Sequence, residues 1–194
     1  MSTGVKSHSD FLYSFAFYYA KALPVNIVIM TDLYPQPSHE EERLKALYKL
    51  DILDTPPDER LDAVTKNVQE FFKCKICLVS LIADDRQWFK SRQCLDVSET
   101  PRNVSFCTYA IAEEEYLIVP DAHEDDRFAN NPLVKGEPFI RAYAGIILRS
   151  TDGYELGTLC VIHDSPRQFE DVDIVMLRHF GLQAESILRE SDKG

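Results

Sequence analysis

The stretch RAYAGIILRSTDGYELGTLCVI, residues 141–162, determines how the rest of the chain is interpreted. Two mainly apolar runs, residues 141–149 and 155–162, flank the segment Ser150-Thr151-Asp152-Gly153. An Asp-Gly pair between two such runs is a strong signal for a tight β-hairpin turn. This stretch therefore predicts two antiparallel strands joined by a hairpin.

Helices are predicted at both ends of the chain, with more strands between them. Apolar residues recur at helical spacing in residues 40–50 and 55–72, where Thr55 is the expected helix cap, and again in residues 168–190. Residues 75–82, 86–91 and 116–119 are typical of strands, and Ser105 is expected to cap a short helix. Residues 121–139 form a long polar loop, which is long enough to carry a function.

The composition is that of a globular protein. The chain has 194 residues, of which 45% are hydrophobic and 27% charged. This excludes wholesale disorder, a collagen helix and an extended coiled coil. The formal net charge of −11 argues against binding of a nucleic acid backbone as the main task. We therefore expect no nucleic acid partner.

The sequence divides at about residue 38. Residues 1–37 have no net charge but contain 7 of the 21 aromatic residues. The apolar part, residues 11–30, is long enough to cross a bilayer, but Lys21 and Pro24 interrupt it. Three interpretations stay open: a weak membrane anchor, an additional packed segment, or upstream sequence before a true start at Met30, which we favour. We therefore expect an N-terminal extension of residues 1–37 and a folded domain of residues 38–194.

Five cysteines indicate free thiols. The number is odd and no signal-peptide pattern precedes them, which predicts a reducing, cytoplasmic location. Cys74 and Cys77 form a C-x-x-C pair inside a predicted strand. Residues i and i+3 of a strand point to opposite faces, so we expect these thiols to be unable to share a metal ion.

A series of short motifs runs in order through residues 40–190. They are ILDTPP at residues 52–57, VSLI at 79–82, DRQWFK at 85–90, TPR at 100–102, SFC at 105–107, VPDA at 119–122, DRF at 126–128, NPLV at 131–134, YAG at 143–145 and LGTLCVI at 156–162. Together they resemble the GAF domains that precede histidine kinase or diguanylate cyclase modules in bacterial proteins.

The resemblance implies an α+β fold of the GAF/PAS type. A central antiparallel sheet would carry the N- and C-terminal helices on one face and pocket-forming loops on the other. It also implies a small-molecule pocket on the loop side. From their charges, we expect Asp121 and Arg127 to form a loop ion pair that fixes the lid of this pocket. The expected lining residues are Trp88, Phe106, Cys107, Asp121, Arg127, Phe128, Tyr143 and Cys160.

The function implied is a non-enzymatic, small-molecule-sensing or regulatory GAF domain that signals through its terminal helices. The chain ends at Gly194, so we expect no fused output module, and a separate signalling protein is a possible partner. The usual catalytic motifs do not occur. Two alternatives stay open: a free methionine sulfoxide reductase that uses the pocket cysteines, and an interaction scaffold whose pocket is filled by its own side chains. Neither the ligand nor a cofactor is named by the sequence.

The last predicted helix is apolar on two sides. Val172, Val175, Met176 and Phe180 lie along one side. The other side contains Ile174, Leu177, Gly181, Ala184 and Leu188. One apolar side is enough to cover a sheet, and a second is normally buried against something else. We therefore predict a homodimer through the terminal helices, with Leu177 at the contact.

Overall fold

The computed structural model describes residues 34–190 and contains one antiparallel sheet with helices on both faces. The strands are β1 (Ile76–Ile82), β2 (Arg86–Gln93), β3 (Glu99–Pro101), β4 (Tyr116–Val119), β5 (Ala142–Arg149) and β6 (Glu155–His163). The helices are α1 (Glu40–Lys49), α2 (Glu59–Phe72), α3 (Phe106–Ala110), α4 (Pro132–Lys135) and α5 (Asp171–Arg189). The predicted extension, residues 1–37, lies largely outside the described residues, and the domain division stays a prediction.

The hairpin of β5 and β6 lies inside the sheet, whose strand order is β3-β2-β1-β6-β5-β4. Its strands pair antiparallel from Ala142 opposite His163 to Arg149 opposite Glu155. Gly153 occupies the turn with a φ of 90°, a conformation that glycine adopts without steric cost. The predicted hairpin and the predicted α+β fold class are therefore confirmed.

Alternate residues of the central strands enter two separate cores. In β1, Cys77, Val79 and Leu81 belong to a helix-side core, which α1, α2 and α5 cover. Ile76, Leu78 and Ile82 belong to a loop-side core on the other face. A strand buried on both faces loses the polar alternation of a half-exposed strand, which explains the continuous apolar runs of β1, β5 and β6.

The second helix starts later than predicted. Its N-cap is Asp58, whose carboxylate accepts a hydrogen bond from the backbone N–H of Arg60 at 2.9 Å. The hydroxyl of Thr55 instead donates to the carbonyl of Ile52 at 2.6 Å. Thr55 and Pro56 each precede a proline, which disfavours helical backbone angles at both positions.

The face of α5 that was assigned to a partner is part of the core. Leu177, Ala184 and Leu188 are fully buried in the helix-side core. Gly181 lets the helix approach the sheet, since a Cβ there would lie 3.2 Å from Ile146 Cγ2. The prediction that Leu177 forms a dimer contact is therefore wrong, because the sheet already covers this side of the helix.

Two buried arginines fix α1 to the sheet. Arg43 donates through Nε and Nη2 to the Glu40 carboxylate at 2.7 and 2.8 Å, and also to the carbonyls of Glu155 and Ile82. Arg102 donates to Glu40 at 2.7 Å and to the Ala83 carbonyl at 3.0 Å. One carboxylate thus neutralises two guanidinium groups that are 0% and 2% exposed.

Both edges of the sheet are short. On one side β3 has three residues and ends in Pro101, and on the other β4 has four and is followed by Pro120. Next to the first edge, β2 contains a bulge, because Val79 pairs with Ser91 and Ser80 with Phe89, which leaves Lys90 unpaired between them. The bulge directs the Lys90 amine to the Thr55 hydroxyl and the Pro56 carbonyl, both at 2.7 Å.

Candidate functional site

The candidate site lies on the loop side of the sheet, where aromatic rings fill the space under α3. Phe106 of α3 stacks on Phe128 with ring centroids 3.9 Å apart and planes 9° from parallel. Tyr143 of β5 lies 5.3 Å from Phe106, and Tyr109 meets Phe128 edge-on at 4.8 Å. Phe106, Phe128 and Tyr143 are buried, so the protein's own side chains occupy this region.

Ser105 and its neighbours hold α3 in place. The Ser105 hydroxyl accepts from the backbone N–H of Thr108 at 3.1 Å, as an N-cap does, and it donates to the side-chain oxygen of Gln87. The Thr108 hydroxyl donates to the Arg102 carbonyl at 3.0 Å. These hydrogen bonds orient Phe106 and Cys107 toward the sheet, and they confirm the predicted cap at Ser105.

Five polar side chains form a buried sulfur–hydroxyl cluster beside the rings: Ser80, Cys107, Tyr143, Thr158 and Cys160. The sulfur atoms of Cys107 and Cys160 are 3.8 Å apart, and the Tyr143 hydroxyl donates to Cys107 Sγ at 3.3 Å. The hydroxyls of Ser80 and Thr158 are 3.2 Å apart. The cluster satisfies its own hydrogen bonds in an otherwise apolar layer.

The two sulfur atoms have different acidities. Burial alone raises the pKa of Cys107, but hydrogen bonds from Cys160, Ser80, Thr158 and Tyr143 outweigh it and lower that pKa to about 6. The contact with Cys107, together with burial, raises the pKa of Cys160 well above its ordinary value. Burial also raises the pKa of Tyr143, so its hydroxyl stays protonated and able to donate.

Gly145 makes room for Tyr143. A Cβ at this position would overlap the Tyr143 hydroxyl and lie 2.7 Å from its Cζ. The tyrosine ring therefore lies along its own strand, over the glycine, and reaches Cys107. A close approach of this kind is a reason for glycine inside a strand.

Five of the eight predicted pocket residues meet in this region. Phe106, Cys107, Phe128, Tyr143 and Cys160 all belong to the loop-side core. That they bind a ligand stays a prediction.

The other three predicted residues lie elsewhere. Trp88 is in the helix-side core, because it faces Leu81 across β1 and β2 and shares that residue's side of the sheet. It also lines a separate cleft of about 330 Å³ with Thr55, Lys90 and Arg92. The placement of Trp88 in the loop-side pocket was therefore wrong.

Asp121 and Arg127 do not pair with each other. Arg141 donates to the Asp121 carboxylate at 2.7 and 3.0 Å, and Arg127 donates to Asp125 at 2.7 and 2.9 Å. Hydrogen bonding with Arg141 lowers the pKa of Asp121. The predicted lid ion pair is thus replaced by two others, one that fixes the loop to the residue before β5 and one within the loop.

The C-x-x-C pair also differs from expectation. Cys74 precedes β1, so the strand alternation does not apply to it, and both Cys74 and Cys77 lie in the helix-side core. The two thiols share a hydrogen bond, which is the largest cause of the lowered pKa of Cys74, while burial raises the pKa of Cys77. Within residues 34–190, no group of three or more His, Cys, Asp or Glu side chains is arranged to hold a metal ion.

Sequence reasoning did not select Ser80 and Thr158. Both are polar residues inside buried apolar strands, in the runs VSLI and GTLC. A buried hydroxyl needs a hydrogen-bond partner, so such an interruption is a usable signal for a polar cluster. The two runs pair directly, with Ser80 opposite Thr158.

The fold and the motifs together identify the family, since residues 56–188 match the GAF domain family. The chain belongs to the GAF domain family. It is 40% identical over 147 residues to a cyclic di-GMP phosphodiesterase of Pseudomonas aeruginosa. The aligned residues make up 75% of this chain. The match covers only 25% of that relative's length.

Two of the solved structures that this chain resembles illustrate the shared GAF fold. One is the GAF domain of an Acinetobacter phosphoenolpyruvate-protein phosphotransferase, with a TM-score of 0.59, 18% identity, and coverage of 77% of this chain and 94% of that one. The other is a free methionine-R-sulfoxide reductase from Neisseria meningitidis, solved with its substrate. Its TM-score is 0.57 and its sequence identity is 16%, and the match covers 82% of this chain and 95% of the reductase chain. At these identities the likeness shows the fold alone.

These comparisons correct one prediction. The GAF chain was expected not to be an enzyme, but the relative from Pseudomonas is a phosphodiesterase and the Neisseria neighbour is a reductase. Relatives of this chain are thus named as enzymes, and the prediction that the chain is not one is contradicted.

Among residues 34–190 of this GAF protein, none of the helices combines the length and the hydropathy that a membrane span requires. The five cysteines are free thiols, four buried and one, Cys94, exposed. Free thiols are typical of a reducing compartment, and the cytoplasmic location stays a prediction.

Proposed function

We propose that this GAF domain senses a small molecule at its loop-side core and regulates an output of the kind that the phosphodiesterase relative carries. The strongest support is that one strand, β5, lines the site with one face and contacts α5 with the other. Tyr143 lies in the aromatic and sulfur–hydroxyl region, whereas Ile146, on the opposite face of β5, contacts Gly181 of α5. The 40% identity to a cyclic di-GMP phosphodiesterase supports the type of output.

A change in the site is transmitted through this strand because protein interiors are close-packed. Gly145 leaves no space between Tyr143 and its own strand, and Gly181 leaves none between α5 and Ile146. A shift of the Tyr143 ring therefore moves the backbone of β5, and α5 must follow it. Packed interfaces of this kind switch between discrete arrangements rather than deform gradually.

The ligand that suits the site is planar and aromatic. Phe128 stacks on Phe106, but unlike Phe106 it belongs to the loop between β4 and β5. That loop turn is held by hydrogen bonds from Phe128 N to the Asp125 carbonyl at 2.9 Å and from Arg127 to the Asp125 carboxylate. A planar ligand would replace Phe128 on the face of Phe106 without disturbing the sheet.

A variant that removes the Phe128 ring from the site tests this proposal. The Phe128→Ala variant removes the loop ring, and we expect planar compounds to bind it at least about tenfold more tightly than the wild type, since no side chain must be displaced. A panel of purine nucleotides, flavins and tetrapyrroles is screened by native mass spectrometry. Bound compounds are then examined by hydrogen exchange of the α5 amides, residues 171–189, which we expect to change on binding.

Phe71→Ala is the matched control, because Phe71 is a half-exposed aromatic residue on the helix side. We expect this variant to bind the panel as the wild type does. If no compound binds Phe128→Ala while the variant remains folded, or if binding leaves the α5 amides unchanged, the proposed function is wrong.

We also propose that a second copy of the chain is a partner, through the outer face of α5. Val172 and Val175 are each 64% exposed, and Leu182 is 59% exposed. Their spacing places them along one side of the helix, opposite the buried Leu177. Apolar residues that line one helix face in this way mark an interaction surface.

The dimer is tested by Val175→Glu. We expect light scattering at micromolar concentration to report a dimer for the wild type and a monomer for the variant, because two glutamates would be buried across the two-fold contact. Asn67→Glu adds the same charge at an exposed position of α2, outside this surface, and is expected to leave the dimer intact. A monomeric wild type, or equal effects of the two variants, would show that this surface is not the interface.

Reduction of free methionine sulfoxide is a second candidate function, and the adjacent thiols of Cys107 and Cys160 favour it. In this reaction the sulfoxide oxygen leaves as water while the two thiols become a disulfide, which a small dithiol such as dithiothreitol then reduces. Formation of methionine from free methionine sulfoxide by the protein with dithiothreitol measures it. The candidate requires a rate that Cys107→Ser abolishes and that Cys94→Ser, at the exposed cysteine, leaves unchanged.

A further inference from the structure

We propose that Cys107 and Cys160 are a site of reversible oxidation, at which a small peroxide converts two thiols into a disulfide between α3 and β6. The two sulfur atoms are already 3.8 Å apart, in contact and with no group between them. A disulfide requires about 2.05 Å, so the atoms must approach by less than about 2 Å. Neither ligand binding nor methionine sulfoxide reduction is needed for this proposal.

The surroundings assign a role to each sulfur atom. Cys107 Sγ accepts a hydrogen bond from the Tyr143 hydroxyl at 3.3 Å, and the nearby hydroxyls of Ser80 and Thr158 also lower the pKa of Cys107. These donors stabilise a thiolate on Cys107, and the thiolate is the nucleophilic form of cysteine. The contact with Cys107 and burial raise the pKa of Cys160, so Cys160 keeps its proton. Cys107 therefore attacks the oxidant, and Cys160 then attacks the oxidised Cys107 sulfur.

The reaction balances with hydrogen peroxide as the oxidant. The Cys107 thiolate attacks one peroxide oxygen, an S–O bond forms, the O–O bond breaks, and the departing hydroxide takes up a proton to become water. The Cys160 sulfur then attacks the Cys107 sulfenic acid, the S–S bond forms, and the S–O bond breaks. The second water leaves with the Cys160 thiol proton. The two thiols lose two electrons in total, and one peroxide is reduced to two waters.

The burial of both sulfur atoms restricts the oxidants that can reach them to small molecules. Cys107 is 2% exposed and Cys160 is 0% exposed, so a protein disulfide cannot reach either sulfur, whereas a peroxide is about the size of a water molecule or two. The exposed Cys94 has no second cysteine in contact and cannot form this bond. The competing pair within the chain is Cys74 and Cys77, on the other side of the sheet.

The disulfide would restrain the fold. It would join residues 53 positions apart and fix α3 to a central strand. A covalent link across a loop of that length reduces the conformational freedom of the unfolded chain. We therefore expect the oxidised protein to melt on the order of 5–10 °C higher than the reduced protein, and a reductant to reverse the shift.

The experiment uses the full chain carrying Cys94→Ser, which removes the exposed thiol. The protein is treated with hydrogen peroxide, acid-quenched, alkylated after denaturation, and digested for mass spectrometry. We expect one cross-linked peptide pair that contains Cys107 and Cys160 and has lost two hydrogens. Circular dichroism of the treated protein verifies that the reacting species is folded.

Three variants test the separate roles of Cys107, Cys160 and Tyr143 in the oxidation. Cys160→Ala should leave a Cys107 sulfenic acid that dimedone captures, whereas Cys107→Ala should leave Cys160 unmodified. Tyr143→Phe removes one donor and keeps the ring, and we expect it to slow disulfide formation about tenfold. Its matched control, Tyr109→Phe, changes a tyrosine of α3 whose hydroxyl is not in the cluster, and we expect no change in rate.

The proposal is overturned if the folded protein retains both thiols at saturating peroxide, or if the disulfide joins Cys74 and Cys77 alone. Equal rates for Tyr143→Phe and the wild type would overturn the role of the cluster. None of these outcomes depends on the ligand screen with Phe128→Ala, so failure of this proposal and failure of the proposed function are distinguishable.

Discussion

Replacing Glu40 by alanine is expected to lower the free energy of unfolding by about 3–5 kcal/mol, because it leaves two buried guanidinium groups without a carboxylate. Arg43 would keep only backbone carbonyls as partners. Arg102 would keep one carbonyl, and its Nε and Nη2 already lack hydrogen-bond partners within the described part of the chain. Urea denaturation followed by circular dichroism measures the change.

Glu41→Ala is the matched control. Glu41 is in the same turn of α1 and is 78% exposed, and among residues 34–190 its ion-pair partner is the exposed Lys45 alone. Surface ion pairs contribute little, so we expect a change below about 0.5 kcal/mol. If both variants lose the same stability, the buried network does not fix α1 to the sheet.

The same network predicts how stability depends on pH. Burial alone raises the pKa of Glu40, but hydrogen bonds and charge interactions with Arg43 and Arg102 outweigh it and hold that pKa below the ordinary value of 4.5. The contribution of Glu40 is therefore complete above pH 4.5 and is lost as the pH falls through the folded-state pKa. Stability of the wild type should thus fall more steeply below that pH than stability of Glu40→Ala.

The second large effect is expected for Gly157→Ala, which should cost about 3 kcal/mol or more. The added Cβ would overlap the carbonyl oxygen of Ser80 and lie 2.8 Å from its carbonyl carbon. These are backbone atoms of a strand paired on both sides, so no rotamer change relieves the overlap. The β1–β6 pairing must separate locally, and the sulfur–hydroxyl cluster, which contains Ser80, must shift with it.

Gly181→Ala is the comparison for this variant. There the nearest atom is Ile146 Cγ2 at 3.2 Å, the end of a side chain that can move by a few tenths of an ångström. We expect a cost below about 1 kcal/mol, offset in part by the better helix propensity of alanine. Denaturation curves that show Gly157→Ala as stable as Gly181→Ala would contradict the close approach of β6 to β1.

Much of the fold is predictable because its signals are local. The Asp-Gly turn, the continuous apolar strands and the helical spacing of apolar residues each depend on a few neighbouring positions. Elements without such a signal were missed. β3 has three residues and α4 has four, and each depends on tertiary contacts rather than on a periodic pattern.

The site is less predictable, because it depends on which elements meet. Trp88 and Phe89 are adjacent and point to opposite faces, and only the pairing of β2 with β1 determines which residue faces the loops. The carboxylate of Asp121 has an arginine six positions away, yet it pairs with Arg141, which the β-sheet brings beside it. The separation of residues along the sequence does not reveal which arginine pairs with Asp121.

The short edges of the sheet have a consequence for self-assembly. A strand edge with free backbone groups is a template on which another chain can add a strand, and this is how many proteins polymerise into fibrils. Here Pro101 removes a backbone donor at the end of β3, and β4 offers only four residues. Such edges resist growth by strand addition, so we expect copies of this domain that meet in a crowded cell to remain discrete particles.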